Sequence, residues 1–254
     1  MASRDDIAAL ILEPTGATFG QIPTTVETLR RLRELTTRYG VLLIFDEVIS
    51  GFRCSPGGAQ QFYGVTPDLT TLAKILAGGY PGAALAGRAD LLRVLDYRRT
   101  GDGLQLPLVV HQGTYNAAPV SAAAGIATLE QVPESDAIDR ANRTAEAIRD
   151  GINDAIRRRG LRWCAYGQFS DFHLYRGDAS PESIYAGEVP WRQLKGAVPL
   201  ELVNKIRAGF LLHGVDIAAW PGGFASAAHT AEDVTRTVAA FEATFDMLAA
   251  EGAL

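Results

Sequence analysis

An apolar run, an amphipathic segment and a second apolar run follow one another near the start of the chain, and this order constrains the fold most. Ala8 to Glu13 has the length and apolar content of a buried strand. Thr25 to Tyr39 sets Val26, Leu29, Leu32 and Leu35 near one helical face, and Gly40 is placed to end the helix. Val41 to Phe45 follows at once, as a central parallel strand would. Parallel strands need a crossover between them, so the three segments predict a β-α-β unit.

The rest of the chain extends this unit into an α/β fold. Leu69 to Leu72 and Gly82 to Gly87 read as short strands, and Ala89 to Leu95 as a short helix. Pro119 to Gln131 reads as an Ala-rich helix with proline in its first turn, and Ser135 to Arg159 as a long one. The character changes at Leu161. Arg162 to Tyr166 and Phe169 to Tyr175 are aromatic and alternating, as antiparallel strands of a smaller α+β domain would be. Gly177 to Pro199 reads as loop, Leu200 to His213 as helix, and Val215 to Ala219 and Gly223 to Ala227 as strands. Thr230, with Asp233 three residues on, caps a final helix reaching about Ala250. The expected organisation is a large domain over residues 1–160 and a small one over 161–254.

Charge and cysteine usage narrow the function. With 24 basic and 29 acidic residues the net charge is −5. The one run of three basic residues, Arg157 to Arg159, ends an amphipathic segment, where it complements the helix dipole. No nucleic-acid partner is expected. Cys54 and Cys164 lie far apart, and His111, His173, His213 and His229 are scattered, so no metal site is expected. Apolar stretches are too short and interrupted to span a membrane, and Met1 to Asp6 lacks a signal peptide's apolar region. A cytoplasmic location is expected.

Three features bear on chemistry. Leu42 to Phe45 leads directly into Asp46, and ligands of open α/β sheets bind outside the carboxyl ends of the strands. A carboxylate there could meet a ligand's cationic nitrogen or cap the next turn. Lys74 follows the apolar strand Leu69 to Leu72 and precedes Gly78-Gly79, where backbone can pass close to a ligand. Lysine is uncommon in apolar surroundings unless paired or functional, and a desolvated amine is a nucleophile toward an aldehyde; a surface lysine at a strand end is the alternative. His111 to Asn116 sets Gly113 and Thr114 just ahead of the Pro119 helix, as an anion site or as ordinary N-capping.

These words together resemble the class III aminotransferases of pyridoxal-phosphate (PLP) fold type I, in the glutamate-1-semialdehyde aminomutase-like branch. The matching words are Glu13-Pro14, Asp46-Glu47-Val48, Gly51-Phe52-Arg53, Gly57-Gly58-Ala59-Gln60, Thr66 to Leu72, Lys74, Gly113-Thr114, and Gly223 to Thr230 in the tail. The resemblance implies part of a large domain with a mostly parallel sheet, followed by a small α+β domain. It implies pyridoxal 5'-phosphate held by Lys74 as a Schiff base, with Lys74 also acting as acid and base. Asp46 would bond the pyridine nitrogen, Val48 would pack on the ring, and Gly113-Thr114 would bind phosphate, in this family typically that of the neighbouring subunit of a dimer. The reaction implied is amino-group transfer between an amino acid or amine and a keto acid or aldehyde.

The sequence also departs from the family. The chain ahead of Lys74 is much shorter than the family's, and no counterpart of the phosphate-cradling turn or of the ring-stacking aromatic occurs in it. A C-terminal half is therefore expected, completed by a separate N-terminal chain, unless the sequence is a fragment of a longer one or has a reduced architecture. Pro221 replaces the aminomutases' glutamate before the Gly-Phe of the tail, and Thr18 stands where the family has an asparagine. Both count against an aminomutase reaction and favour transfer; an isomerase on the same cofactor, aminomutase or racemase, is an alternative reading. A non-catalytic assembly or regulatory subunit is the reading from another class. Arg53 could grip a carboxylate or serve structure. His229, Tyr185, Trp191 and Trp220 read better as structural than as pocket residues.

Overall fold

The computed structural model describes residues 4, 6–96, 108–196, 198–218 and 220–254. They form two compact units, one of residues 1–14 and 26–134, the other of 15–25 and 135–254.

The first unit is a four-stranded sheet in the order β1 (Ala9–Leu12), β2 (Leu42–Asp46), β3 (Leu69–Leu72), β4 (Ala84–Gly87). The first three strands are parallel and β4 is antiparallel to β3. Helix α1 (Val26–Arg38) makes the expected crossover from β1 to β2. Its Leu29 is buried with Leu43, Phe45 and Val65, and Leu10, Leu12 and Tyr63 close this core. The short helices α2 (Gly58–Tyr63) and α3 (Ala89–Leu92) follow β2 and β4. Helix α4 (Pro119–Gln131) packs against the 3-10 turn Lys74–Ala77. That approach needs glycine: a Cβ on Gly78 would lie 2.4 Å from the Thr128 hydroxyl, and one on Gly125 would lie 2.9 Å from the Leu76 carbonyl.

Asp68 sets the register of β3 on β2. Its backbone N–H donates to the Leu43 carbonyl (2.7 Å), and its Oδ2 accepts the Leu43 N–H (2.8 Å). Arg33 (2.9 Å) and Arg88 (3.0 Å) pair with the same carboxylate. Burial pushes the Asp68 carboxyl upward, but the Leu43 amide and the two guanidiniums outweigh it and hold the pKa below the ordinary range.

The second unit carries the antiparallel sheet β5 (Trp163–Tyr166), β6 (Asp171–Arg176), β7 (Gly222–Phe224), in that order. Helices α5 (Ala137–Arg159), α8 (Leu200–Leu212) and α9 (Ala231–Ala250) build its main core around Ile152, Ile206, Phe210, Phe241 and Phe245. The long helix α5, expected with the large domain in residues 1–160, belongs here. Its apolar face meets this core, Asn153 brackets the Ala165 N–H and carbonyl (both 2.8 Å), and Arg159 pairs with Asp246 and Glu242 of α9 (both 2.8 Å). Residues 15–25 also pack in this unit rather than with the flanking sheet. There His173 Nε2 faces two acceptors, the Phe19 carbonyl (3.3 Å) and Asp171 Oδ2 (3.1 Å), so that nitrogen carries the proton. Thr18 and Phe19 hold left-handed φ values of 56° and 52°.

The region Gly177 to Pro199, expected to be loop, contains α6 (Pro181–Tyr185) and α7 (Trp191–Gly196). Ser180 and Ser183 form a reciprocal cap on α6, and Ile184 and Leu194 are buried with Cys164, Tyr166 and Tyr175. Residues 215–218 are irregular, not the expected strand, and Ala219 lies outside the described residues. The chain there turns back on itself through the Ala218 N–H and the Gly222 carbonyl (2.9 Å), so the strand is β7, shorter and one residue earlier than expected. The Thr230–Asp233 capping box on α9 is present as expected.

The Asp68 clasp yields a measurable sign. A depressed folded pKa contributes stability above the ordinary aspartate pKa of about 3.9, lost as pH falls through the folded value. Asp68→Ala should cost about 2 kcal/mol at neutral pH. In urea denaturation its deficit should shrink below about pH 4; a deficit that does not change with pH would remove the ion pairs as its cause.

Candidate active site

The expected pair Asp46 and Lys74 falls on neighbouring parallel strands, at the same end. Asp46 is the last residue of β2 and pairs in register with Thr71 of β3. Lys74 lies three residues beyond Thr71, where β3 gives way to the 3-10 turn. Apolar β2 residues bury themselves and carry Asp46 to the strand end, where it is half-buried.

Asp46 is oriented by two donors. Its Oδ1 accepts the Val48 N–H (3.1 Å) and the Thr71 hydroxyl (3.2 Å). Among the described residues no donor meets Oδ2. Sequence reading did not single out Thr71. Its signal was the strand period: an Asp46 in register with a threonine one strand over has a hydroxyl within reach.

Lys74 is exposed, not enclosed by the apolar residues around it in sequence. Those neighbours divide: Leu72 ends β3, while Ile75 and Ala77 lie in the turn held by α4. No ion pair involves Lys74 among the described residues. Its backbone sits in the left-handed region, with φ 51°. For a side chain larger than glycine this conformation costs energy, and such strain gathers at functional sites.

Glu47, beside Asp46, has a different task. It is buried, accepting the Ala59 N–H (2.6 Å) and Gln60 N–H (3.2 Å), with the Ser50 hydroxyl at 3.4 Å. It thus caps the start of α2 from another part of the chain. Gly58 must be glycine there, since a Cβ would lie 2.3 Å from Glu47 Oε2. Burial pushes the Glu47 carboxyl up, against the pull of those two amides. The stability it contributes is greatest at low pH and is lost as pH rises through the raised value.

Gly113 and Thr114 lie in an exposed turn, with the Asn116 N–H donating to the Gly113 carbonyl (3.0 Å). Thr114 does not cap α4. The N-cap is Ala118, with no side-chain bond. Val48 follows Asp46 and is half-buried, and Arg53 lies in the turn after Phe52, whose φ is 61°. In the second unit, Tyr185 brackets Gly167 through its hydroxyl, Trp220 lies among His173 and Phe224, and His229 Nδ1 accepts the Ser226 N–H (3.0 Å). Each of the three is thus held by contacts within the second unit. Trp191 is exposed beneath the Arg192 guanidinium. Among the described residues, no His/Cys/Asp/Glu cluster could hold a metal and no helix is long and apolar enough to cross a membrane.

The strain at position 74 separates two truncations. Lys74→Gly should be more stable than Lys74→Ala by about 1 kcal/mol, because only glycine adopts that φ freely. Thermal denaturation of the two variants checks this, and equal stabilities would mean that the backbone relaxes once the side chain is gone.

Comparison with known proteins places this geometry. The chain is 38% identical to the glutamate-1-semialdehyde 2,1-aminomutase of Pyrobaculum islandicum over 247 residues, 95% of this chain and 54% of that protein. An omega-transaminase from Sphaerobacter thermophilus superposes with a TM-score of 0.78 at 30% identity, covering 94% of this chain and 51% of that one. A transaminase solved with PLP bound gives 0.79 at 29% identity, covering 98% and 54%. The chain thus spans about half the length of the curated relatives it matches, and its fold is that of the type I PLP transaminases. The aminotransferase class-III family model matches residues 1–160, well over half of the chain, and on that match the chain belongs to the class III aminotransferase family.

Proposed function

We propose that this chain supplies the lysine-bearing part of a pyridoxal-5'-phosphate-dependent aminotransferase site, moving an amino group between an amino acid or amine and a keto acid or aldehyde. The observation that carries the reading is the placement of Asp46 and Lys74 at the carboxyl ends of adjacent parallel strands. The groups present suit the cofactor. Asp46 keeps one oxygen open while Thr71 and Val48 hold the other, so it can accept a bond from a protonated ring nitrogen. Lys74 is exposed and, among the described residues, makes no ion pair, as suits an amine that must reach an aldehyde.

When bound, the cofactor supplies an electron-withdrawing ring that stabilises negative charge at the substrate Cα. Asp46 sustains that property by favouring the protonated ring nitrogen. Lys74 holds the cofactor through its amine, and its Nζ takes up and returns the proton of the substrate Cα. Val48 offers an apolar surface to the ring. Gly113 and Thr114 offer backbone N–H groups and a hydroxyl to a phosphate, that of a neighbouring subunit in a dimer. The relatives are about twice as long as this chain, and the portion they have beyond the matched stretch, in the same polypeptide or a separate one, completes the site. The name of the curated relatives favours an aminomutase as the second reading. Pro221 and Thr18, which stand where the aminomutases have other residues, weigh toward transfer.

Mixing this chain with the missing portion and PLP should produce a visible absorption band from the bound cofactor. Lys74→Ala should abolish it. Asp46→Asn should retain cofactor but turn over about a hundredfold more slowly. Equal absorption without Lys74 would remove its assigned role. Product that forms only when a keto-acid acceptor is added separates transfer from internal rearrangement, and absence of amine turnover by the complete complex would make this a non-catalytic subunit.

A further inference from the structure

We propose that His173 is a positioning residue for the amino-transfer reaction: its Nε2 proton, directed by Asp171, holds the strained Thr18–Phe19 turn in the shape that the reaction uses. The inference rests on the transferase reading above and adds a residue to it.

The backbone of this turn is costly. Thr18 and Phe19 are consecutive non-glycine residues in the left-handed region, a conformation that a Cβ disfavours. It persists only where the surroundings over-determine it, and it gathers at functional sites. Lys74 is the same case in the first unit. Contacts within the second unit hold the turn. Gly16 pairs with Pro23 and Ala17 with Ile22, which closes the segment into a narrow hairpin. The Phe19 ring is buried and meets Phe169 at 6.2 Å and Phe224 at 5.7 Å. The Tyr166 hydroxyl donates to the Gln21 carbonyl (2.7 Å). His173 alone among these reaches a polar group inside the strained pair, the Phe19 carbonyl (3.3 Å).

Stability does not account for the pair that makes this bond. β6 sends Phe172 and Leu174 into the helix-packed core, so by the period of a strand Asp171 and His173 lie on its other face. Both side chains are almost fully buried, and Asp171 Oδ2 stands 3.1 Å from the same Nε2. Among the described residues His173 Nδ1 has no partner. A buried polar pair with an unmet acceptor is less favourable than well-packed apolar side chains of the same size. What the pair supplies instead is direction. An apolar contact fills space around Phe19 without choosing where its carbonyl points. A donor fixed by Asp171 does choose, and the direction of that carbonyl sets ψ of Phe19 and with it the path of the turn. Thr18, at the tip, is only partly buried. It is also a position that weighs toward transfer in the reading above.

Two substitutions separate positioning from mere support. His173→Gln keeps an N–H donor near the place of Nε2, and His173→Leu keeps bulk without the donor. Both are made in the protein completed by the portion that its relatives have beyond the matched stretch, and loaded with PLP. His173→Leu should lower kcat by about tenfold while the visible band of the bound cofactor stays unchanged. His173→Gln should retain about half or more of the unaltered kcat. Unchanged kcat in His173→Leu, or equal loss in both variants, overturns the proposal and leaves the transferase reading standing. Loss of the cofactor band together with activity in His173→Leu makes the residue a support of the fold and also overturns it. Absence of amine turnover by the unaltered protein overturns the transferase reading and this proposal with it. Should His173→Leu fail to fold, nitrogen-15 NMR of the unaltered protein decides. The His173 ring should carry its proton on Nε2, and the backbone couplings of Thr18 and Phe19 should report a single left-handed φ. A proton on Nδ1, or a turn that averages over several conformations, overturns the proposal.

Discussion

The parallel pairing of β2 with β3 is the constraint on which the site depends. It sets Ile44 against Leu69, Phe45 against Thr70 and Asp46 against Thr71. Because the strands run the same way, both reach their carboxyl ends together, and the carboxylate and the lysine arrive at one edge. A slip of one residue would turn the core face outward and part Asp46 from the Thr71 hydroxyl. The Asp68 clasp guards against this slip. It ties one residue to both the N–H and the carbonyl of Leu43, and its charge is matched by Arg33 and Arg88.

Beyond β2 two adjacent acids divide the work by burial. Glu47 is buried with both oxygens committed to the amides that open α2. Asp46 is half-buried with one oxygen held and one open. The distant words Asp46-Glu47-Val48 and Gly57-Gly58-Ala59-Gln60 are therefore one device, in which Glu47 replaces the missing N-cap side chain and Gly58 leaves it room. The turn that carries Lys74 is held in turn by α4, through glycines that let backbone meet helix. Strain at Lys74 is sustained by that packing rather than relieved by local sequence.

Much of this was legible in the residues. The strand β3 and the helix α4 lie where the apolar runs and Pro119 placed them, and the Thr230–Asp233 box starts α9. The short helices α6 and α7 were not legible, because one turn of helix bounded by Pro181 or Trp191 carries too little periodicity to separate from loop. The placement of α5 with the second unit was hidden for another reason. Its apolar face is visible in sequence, but which sheet that face meets is settled by Asn153, Arg159 and their distant partners.

The sequence by itself determined the β-α-β crossover, the strand that ends at Asp46, the long helices and the family, because periodicity, turn residues and the words around Asp46 and Lys74 are local properties of the chain. Only the tertiary structure decided that Thr71 orients Asp46, that Glu47 is buried while its neighbour is not, that Thr114 leaves α4 uncapped, and that β4 runs antiparallel to β3. Each of these depends on which strands and helices meet in space, and hydrogen bonds between residues far apart in the chain leave no periodic trace in it.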